Sequence, residues 1–205
     1  MHLSAPAILV ASRSHGETAA IARLLTEEHG LIAAYVAGGR GRRMRPLLIP
    51  GNALAVELSA KSDSQLPFAR LELAESRAPW MTEPLPAAAI GWASALTAST
   101  LPERNPYPSL YAGLDALLTA ICHAPSARGW LSVMVMYETM LLRELGYGGA
   151  RPREDEDFAG LLEQFRALHR PIRDHLLAAT RRDVMAARTA LGQRLARMVQ
   201  EGEET

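Results

Sequence analysis

The segment from Gly38 to Arg45 reads GGRGRRMR, four arginines in eight positions with no acid among them. Guanidinium groups are flat, permanently charged, multi-donor heads, and the chemistry they suit is recognition of phosphate rather than bond-making. Gly38, Gly39 and Gly41 keep the backbone bare, so a phosphate chain has room to approach while Arg40, Arg42, Arg43 and Arg45 reach it. Each arginine that neutralises a phosphate releases condensed counterions, which gives affinity without base selectivity. A solvated hairpin tip carries the same kind of charge run, so the loop alone leaves both readings open. A second arginine-rich stretch, residues 170–197, holds Arg170, Arg173, Arg181, Arg182, Arg188, Arg194 and Arg197 against two aspartates. Acids gather elsewhere, Glu154 to Asp157 in a row and Glu201, Glu203 and Glu204 further on. In a chain of zero formal net charge, this segregation points to a polyanion-binding surface on a neutral body.

Signatures of catalysis are missing. The sequence holds no P-loop, no dinucleotide-binding glycine pattern after a strand, no HExxH and no GxSxG. Its six histidines, among them His169 and His175, show no metal-ligand spacing with cysteine and read as surface residues. The row Glu154 to Asp157 suits a linker or a helix N-terminus, where carboxylates meet the positive end of the dipole. The lone Cys122 excludes an internal disulfide and a cysteine-rich zinc site, and it reads as a small core residue. No enzyme, cofactor or metal is expected.

Two kinds of element must position these residues. From Ala7 to about Arg77, short apolar runs alternate with turn residues: AILVAS, LIAAYVAGG, ALAVELSA and FARLELAES read as strands, and Leu54, Val56 and Leu58 fall on one face at period two. Several such strands in one half predict a small antiparallel barrel. The segment Glu17 to Gly30 satisfies a helix as well as a strand on its residues alone. After Pro79, Pro84 and Pro86 the spacing turns helical, in LPAAAIGWASALTAST, PSLYAGLDALLTAICHA, WLSVMVMYETMLLRELGYG, FAGLLEQFRALH and the arginine-rich stretch from Pro171 to Val199. Leu110, Leu114, Leu117, Leu118 and Ile121 form an apolar stripe, and Trp80, Trp92 and Trp130 read as packing residues. At 205 residues, 48% apolar and 21% charged, the chain has the composition of one extended or two small globular domains. Aromatics are only 5%, which argues against a broad base-stacking platform. The first residues lack the pattern of a secretory signal, and no window approaches the ~20 apolar residues of a membrane span; a cytoplasmic protein is expected.

The order of motifs resembles the RecO family of bacterial DNA-repair recombination mediators, of an alphaproteobacterial type. AILVASRSHGETAAIARLLTEEHGLIAAYVAGGRGRRMRPLLIPGN is similar to the family's N-terminal barrel, and LPERNPYPSLYAGLDALL and YETMLLRELGYG are similar to its helical domain. The resemblance implies an α+β chain, an OB-fold DNA-binding β-barrel over residues 1–78 followed by an all-α helical domain over residues 79–205, and it makes Glu17 to Thr26 a barrel strand. It also implies binding of single- and double-stranded DNA and annealing of complementary strands. Further implied are contact with the C-terminal tail of single-strand-binding protein, pairing with RecR to help load RecA, and an indirect relation to RecF. No nucleotide hydrolysis and no membrane are implied, and the localisation would be cytoplasmic, at the nucleoid. Two departures stand out. The chain lacks the cysteine-bearing insertion of many members, so no structural zinc is expected. Val135 and Met136 stand where several relatives carry basic residues; Arg143 is then the candidate for the partner's terminal carboxylate.

The expected DNA-binding set is therefore Arg40, Arg42, Arg43 and Arg45 with Arg13 on the neighbouring barrel face, and Arg181 and Arg182 on the last helices for a second strand. The rival reading is a protein-interaction scaffold whose basic loop docks an acidic peptide without touching DNA. A nuclease with carboxylate-held metal is more distant.

Overall fold

The computed structural model describes residues 2–62, 65–149, 152–153, 157–180 and 183–203, with side chains described as far as residue 198. It is an α+β chain that divides into two compact units. One comprises residues 1–83 and 101–111, the other residues 84–100 and 112–205.

The first unit is built on five strands, β1 (His2–His15), β2 (Ala19–Thr26), β3 (Gly30–Val36), β4 (Ala53–Ser59) and β5 (Phe68–Glu75). They close into a barrel in the order β1-β2-β3-β5-β4; a small antiparallel barrel was expected, and all its pairs are antiparallel except β3 with β5, which is parallel. Closure depends on β1, which is long enough to serve two neighbours: its first half, His2 to Ile8, pairs with β4, and its second, Ile8 to His15, pairs with β2. A register shift between Leu9 and Ala11 bends it from one partner to the other. The interior follows the period-two rule, with Leu9, Leu24, Ile32, Leu54, Val56 and Leu58 among the side chains that fill it.

β2 shows why Glu17 to Gly30 was ambiguous. Ala22 and Leu24 point into the barrel, yet Ile21 and Leu25 on the other face are also buried, at 5% and 0% exposure. A strand covered on both faces loses its alternation and reads as a helix. Part of the cover over β2 and β3 comes from the segment after residue 100: Leu31 bridges to Glu103, its carbonyl accepts the Arg104 N–H at 2.9 Å, and Arg23 pairs with Glu103 at 3.2 Å. Gly30, at φ +67°, lies so close to Asn105 that a Cβ would overlap the Asn105 backbone.

The second unit holds α1 (Pro84–Thr100), most of α2 (Pro108–His123), α3 (Ala127–Glu144), α4 (Phe158–Ala167), the short α5 (His169–Pro171) and α6 (Met185–Glu203). The leucine stripe of α2 is buried throughout, as are Trp92 and Trp130; Trp80, in a short 3-10 turn, and Cys122 are only half-buried. Asp157 caps α4 by accepting the Gly160 N–H at 2.8 Å; the rest of that acidic row, Glu154, Asp155 and Glu156, lies outside the described residues. The arginine-rich stretch from Pro171 is not one helix. α5 runs into a π-helical turn, Ile172–Leu176, closed by Leu177 N–H to the Ile172 carbonyl at 3.0 Å. A new helix starts where Asp183 accepts the Ala186 N–H at 3.1 Å. Among the described residues no helix is long and apolar enough to cross a membrane.

Candidate nucleic-acid interface

The arginine turn is a built structure on the barrel. It fills the connection between β3 and β4 and is held from both sides. The Arg40 N–H donates to the Thr18 carbonyl at 2.9 Å, and successive turns bond Gly41 to Gly38 and Met44 to Gly41. Met44, Leu47 and Leu48 pack against the barrel core. Asn52, fully buried, donates from Nδ2 to the carbonyls of Pro46 and Leu47 at 2.8 and 3.1 Å. Gly39 is required by packing rather than by ligand access, because a Cβ there would come within 2.6 Å of the Ala20 Cβ on β2.

This anchoring turns the charged heads outward. Arg40, Arg42, Arg43, Arg45 and Arg13 are all exposed. Two also help hold the turn: Arg40 Nη1 donates to the carbonyls of Glu17 at 2.9 Å and Gly16 at 3.3 Å, and Arg45 Nε donates to the Arg40 carbonyl at 3.0 Å. Among the described residues none of the five forms an ion pair, in contrast to Arg23, Arg70, Arg77, Arg173 and Arg188. A cleft of about 320 Å³ opens between β1 and the turn, lined by Arg13, Arg40 and Arg45 with Ser12, Ser14 and Leu48 among its walls. The fold thus brings Arg13 to Arg40 and Arg45 across 27 or more residues of chain, while Arg42 and Arg43 stand on the same turn beyond the cleft lining. Three exposed cations whose charge no described carboxylate neutralises, two of them held by backbone carbonyls and with the Ser14 hydroxyl beside them, suit a phosphate group.

The remaining expected residue that is described, Arg143, belongs to the second unit. Arg143 is exposed in the last turn of α3, with Met136 on the same helix 53% exposed and Val135 buried. Arg181 and Arg182 lie outside the described residues. The arginine-rich stretch is not a single cationic face. Arg188 is buried at 2% exposure, donating to both carboxylate oxygens of the fully buried Glu138 at 3.0 and 2.7 Å, and its guanidinium lies 3.8 Å from the Phe165 ring centre. Arg173 pairs with Asp174 at 2.6 Å and Arg194 donates to the Pro84 carbonyl at 2.8 Å. Of the histidines around this stretch, all read as surface residues, His175 is exposed and stacks on Tyr147 with ring centres 5.1 Å apart, whereas His169 is half-buried. Burial and the neighbouring Arg188 and Arg173 charges hold the His169 imidazole below its ordinary value.

Composition counting missed a set of rings on the barrel. Tyr35 stands edge-on to Phe68 with centres 4.9 Å apart, and His15 stands edge-on to Tyr35 at 6.0 Å. The one available signal was a phenylalanine at the head of the polar-alternating run FARLELAES.

Residues 1–77 match the family described as "Recombination protein O N terminal", and residues 82–150 match "Recombination protein O C terminal". The chain is similar to the protein named "DNA repair protein RecO" in Phenylobacterium zucineum, 40% identical over 149 residues that make up 72% of this chain and 60% of that protein. Proteins of the same name in Caulobacter vibrioides and Rhodospirillum centenum are 42% and 44% identical over 143 residues, 69% of this chain and 58% and 56% of theirs. The chain therefore spans somewhat under two thirds of the length of the curated relatives it matches.

Proposed function

The chain belongs to the recombination protein O family of DNA repair proteins, and from that premise we propose that it is a non-enzymatic recombination mediator whose barrel, residues 1–78, holds DNA. It binds single- and double-stranded DNA and anneals complementary strands. With RecR it assists loading of RecA, in relation to RecF, on DNA coated by single-strand-binding protein, whose C-terminal tail it contacts with Arg143. It works in the cytoplasm at the nucleoid.

The observation that carries this reading is the cleft walled by Arg13, Arg40 and Arg45, flanked by Arg42 and Arg43, with five exposed guanidiniums and, among the described residues, no carboxylate paired to any of them. Phosphates seated there lose their mutual repulsion, so a second strand can approach; Arg181 and Arg182 are proposed to steady it. Annealing needs no covalent step. The test mixes the full chain with complementary strands precoated by the cognate single-strand-binding protein. Faster duplex formation is expected with the native chain, and its loss with Arg42→Glu/Arg43→Glu. Equal annealing by native and reversed chains overturns the assignment of the turn, and binding of an acidic peptide in place of DNA favours the scaffold reading.

A further inference from the structure

The barrel carries a second set of groups beside the arginine cleft. Strand register places Arg13 opposite Ile21, Ile21 opposite Tyr35, and Tyr35 opposite Phe68. These four residues form one row across β1, β2, β3 and β5, with a cation at one end and rings at the other. Opposed residues on neighbouring strands share a face, and this face points away from the filled interior, since Ala22, Ala34 and Leu58 occupy that interior. Neighbouring strands lie ~4.8 Å apart, so the row spans about 14 Å. His15, two residues beyond Arg13, adds a third ring against Tyr35, and the turn that follows it supplies the carbonyls that hold Arg40. The ring row and the phosphate cleft therefore share β1 and the β1–β2 turn. Phe68 is 59% exposed, the most exposed large apolar side chain among the described residues, and a ring left so open to water suits contact with a ligand.

We propose that Phe68 and Tyr35, with His15, are a base-stacking ledge that makes this site selective for unpaired over paired strands. The proposal rests on the DNA-binding reading above and deepens it: the arginines hold sugar-phosphate, and the rings take bases that only a single strand can turn outward. Rings accept any base because every base has a π-face, so the ledge adds strand selectivity without adding sequence selectivity. Duplex DNA keeps its bases stacked inside and meets the arginines alone.

The test is fluorescence anisotropy on the full chain with three labelled probes: a thymidine oligonucleotide of roughly 16 residues, within the span of one such barrel, an abasic strand of equal length, and a duplex. Phe68→Ala is expected to weaken the thymidine strand by about tenfold while leaving the abasic strand and the duplex unchanged. Phe68→Trp should restore or strengthen thymidine binding, and Tyr35→Phe should leave it intact. Equal affinity of native and Phe68→Ala chains for the thymidine strand overturns the ledge, and so does an equal loss on all three probes. Arg42→Glu/Arg43→Glu separates the two readings. If it weakens every probe while Phe68→Ala weakens none, the cleft stands and the ledge falls; if it changes no probe, the DNA reading falls and takes the ledge with it.

Discussion

Two arginines with the same chemistry meet opposite fates in this chain, and the difference lies in what packs around them. Arg42 ends in solvent. Arg188 is enclosed, ion-paired with Glu138 and lying over the Phe165 ring, and Glu138 Oε1 also accepts the Trp92 indole N–H at 2.7 Å. Two charges taken out of water need each other, and removing one leaves the other uncompensated. Glu138→Leu, which strands both the Arg188 charge and the Trp92 donor, is expected to destabilise the chain by about 3–5 kcal/mol. Adding Arg188→Met should return a large part of that loss, because the pair as a whole is worth far less than either half costs when orphaned. Urea midpoints for the two single variants and the double variant form the cycle that measures this; additive losses would show that the residues do not act as a pair.

At the scale of elements, period-two spacing made β4 legible and helical spacing made α2 legible from the residues alone, because each has one covered face. β2 was not, since Ile21 and Leu25 are buried on the side opposite Ala22 and Leu24. The break after Pro171 was also hidden: its apolar residues keep a helical rhythm, but the π turn shifts the register and Asp183 starts a fresh helix. That region has a pH response of its own. His169, in α5, is pushed below the ordinary imidazole value first by burial, then by the charges of Arg188 and Arg173, with Glu138 and Asp174 opposing. The folded chain therefore binds this proton less readily than the unfolded chain. Its contribution to stability is complete above the unfolded value of ~6.5 and is lost as pH falls through the lower folded value. Urea midpoints followed downward from about pH 7 should fall more steeply for the native chain than for His169→Gln; identical slopes would mean the imidazole does not sense folding.

Over the whole molecule, zero net charge gives no overall attraction for a polyanion, so the proposed DNA affinity has to rest on local charge such as that of the cleft. The sequence showed the four turn arginines, since a run of like charge is visible without a fold. The expectation also set Arg13 beside them, and the fold brings it to Arg40 and Arg45; that Tyr35 and Phe68 lie in its row could not be read, because it depends on strand register. A local polyelectrolyte site has a measurable signature. If the four arginines of the turn each meet one phosphate of a single strand, the logarithm of affinity should fall against log salt with a slope of roughly −3, at about 0.7 per contact. Removing two of them with Arg42→Ala/Arg43→Ala should bring the slope to about −1.5. The double variant should weaken strands of different sequence alike, because phosphate contacts carry no base information. Stability should hold, since neither side chain makes a hydrogen bond or ion pair among the described residues, whereas Arg40 and Arg45 help brace the turn. Affinity measured from low to physiological salt on the native and doubly substituted chains reads both slopes. A native slope near zero, or one unchanged by the substitutions, would place the phosphate contacts elsewhere on the chain.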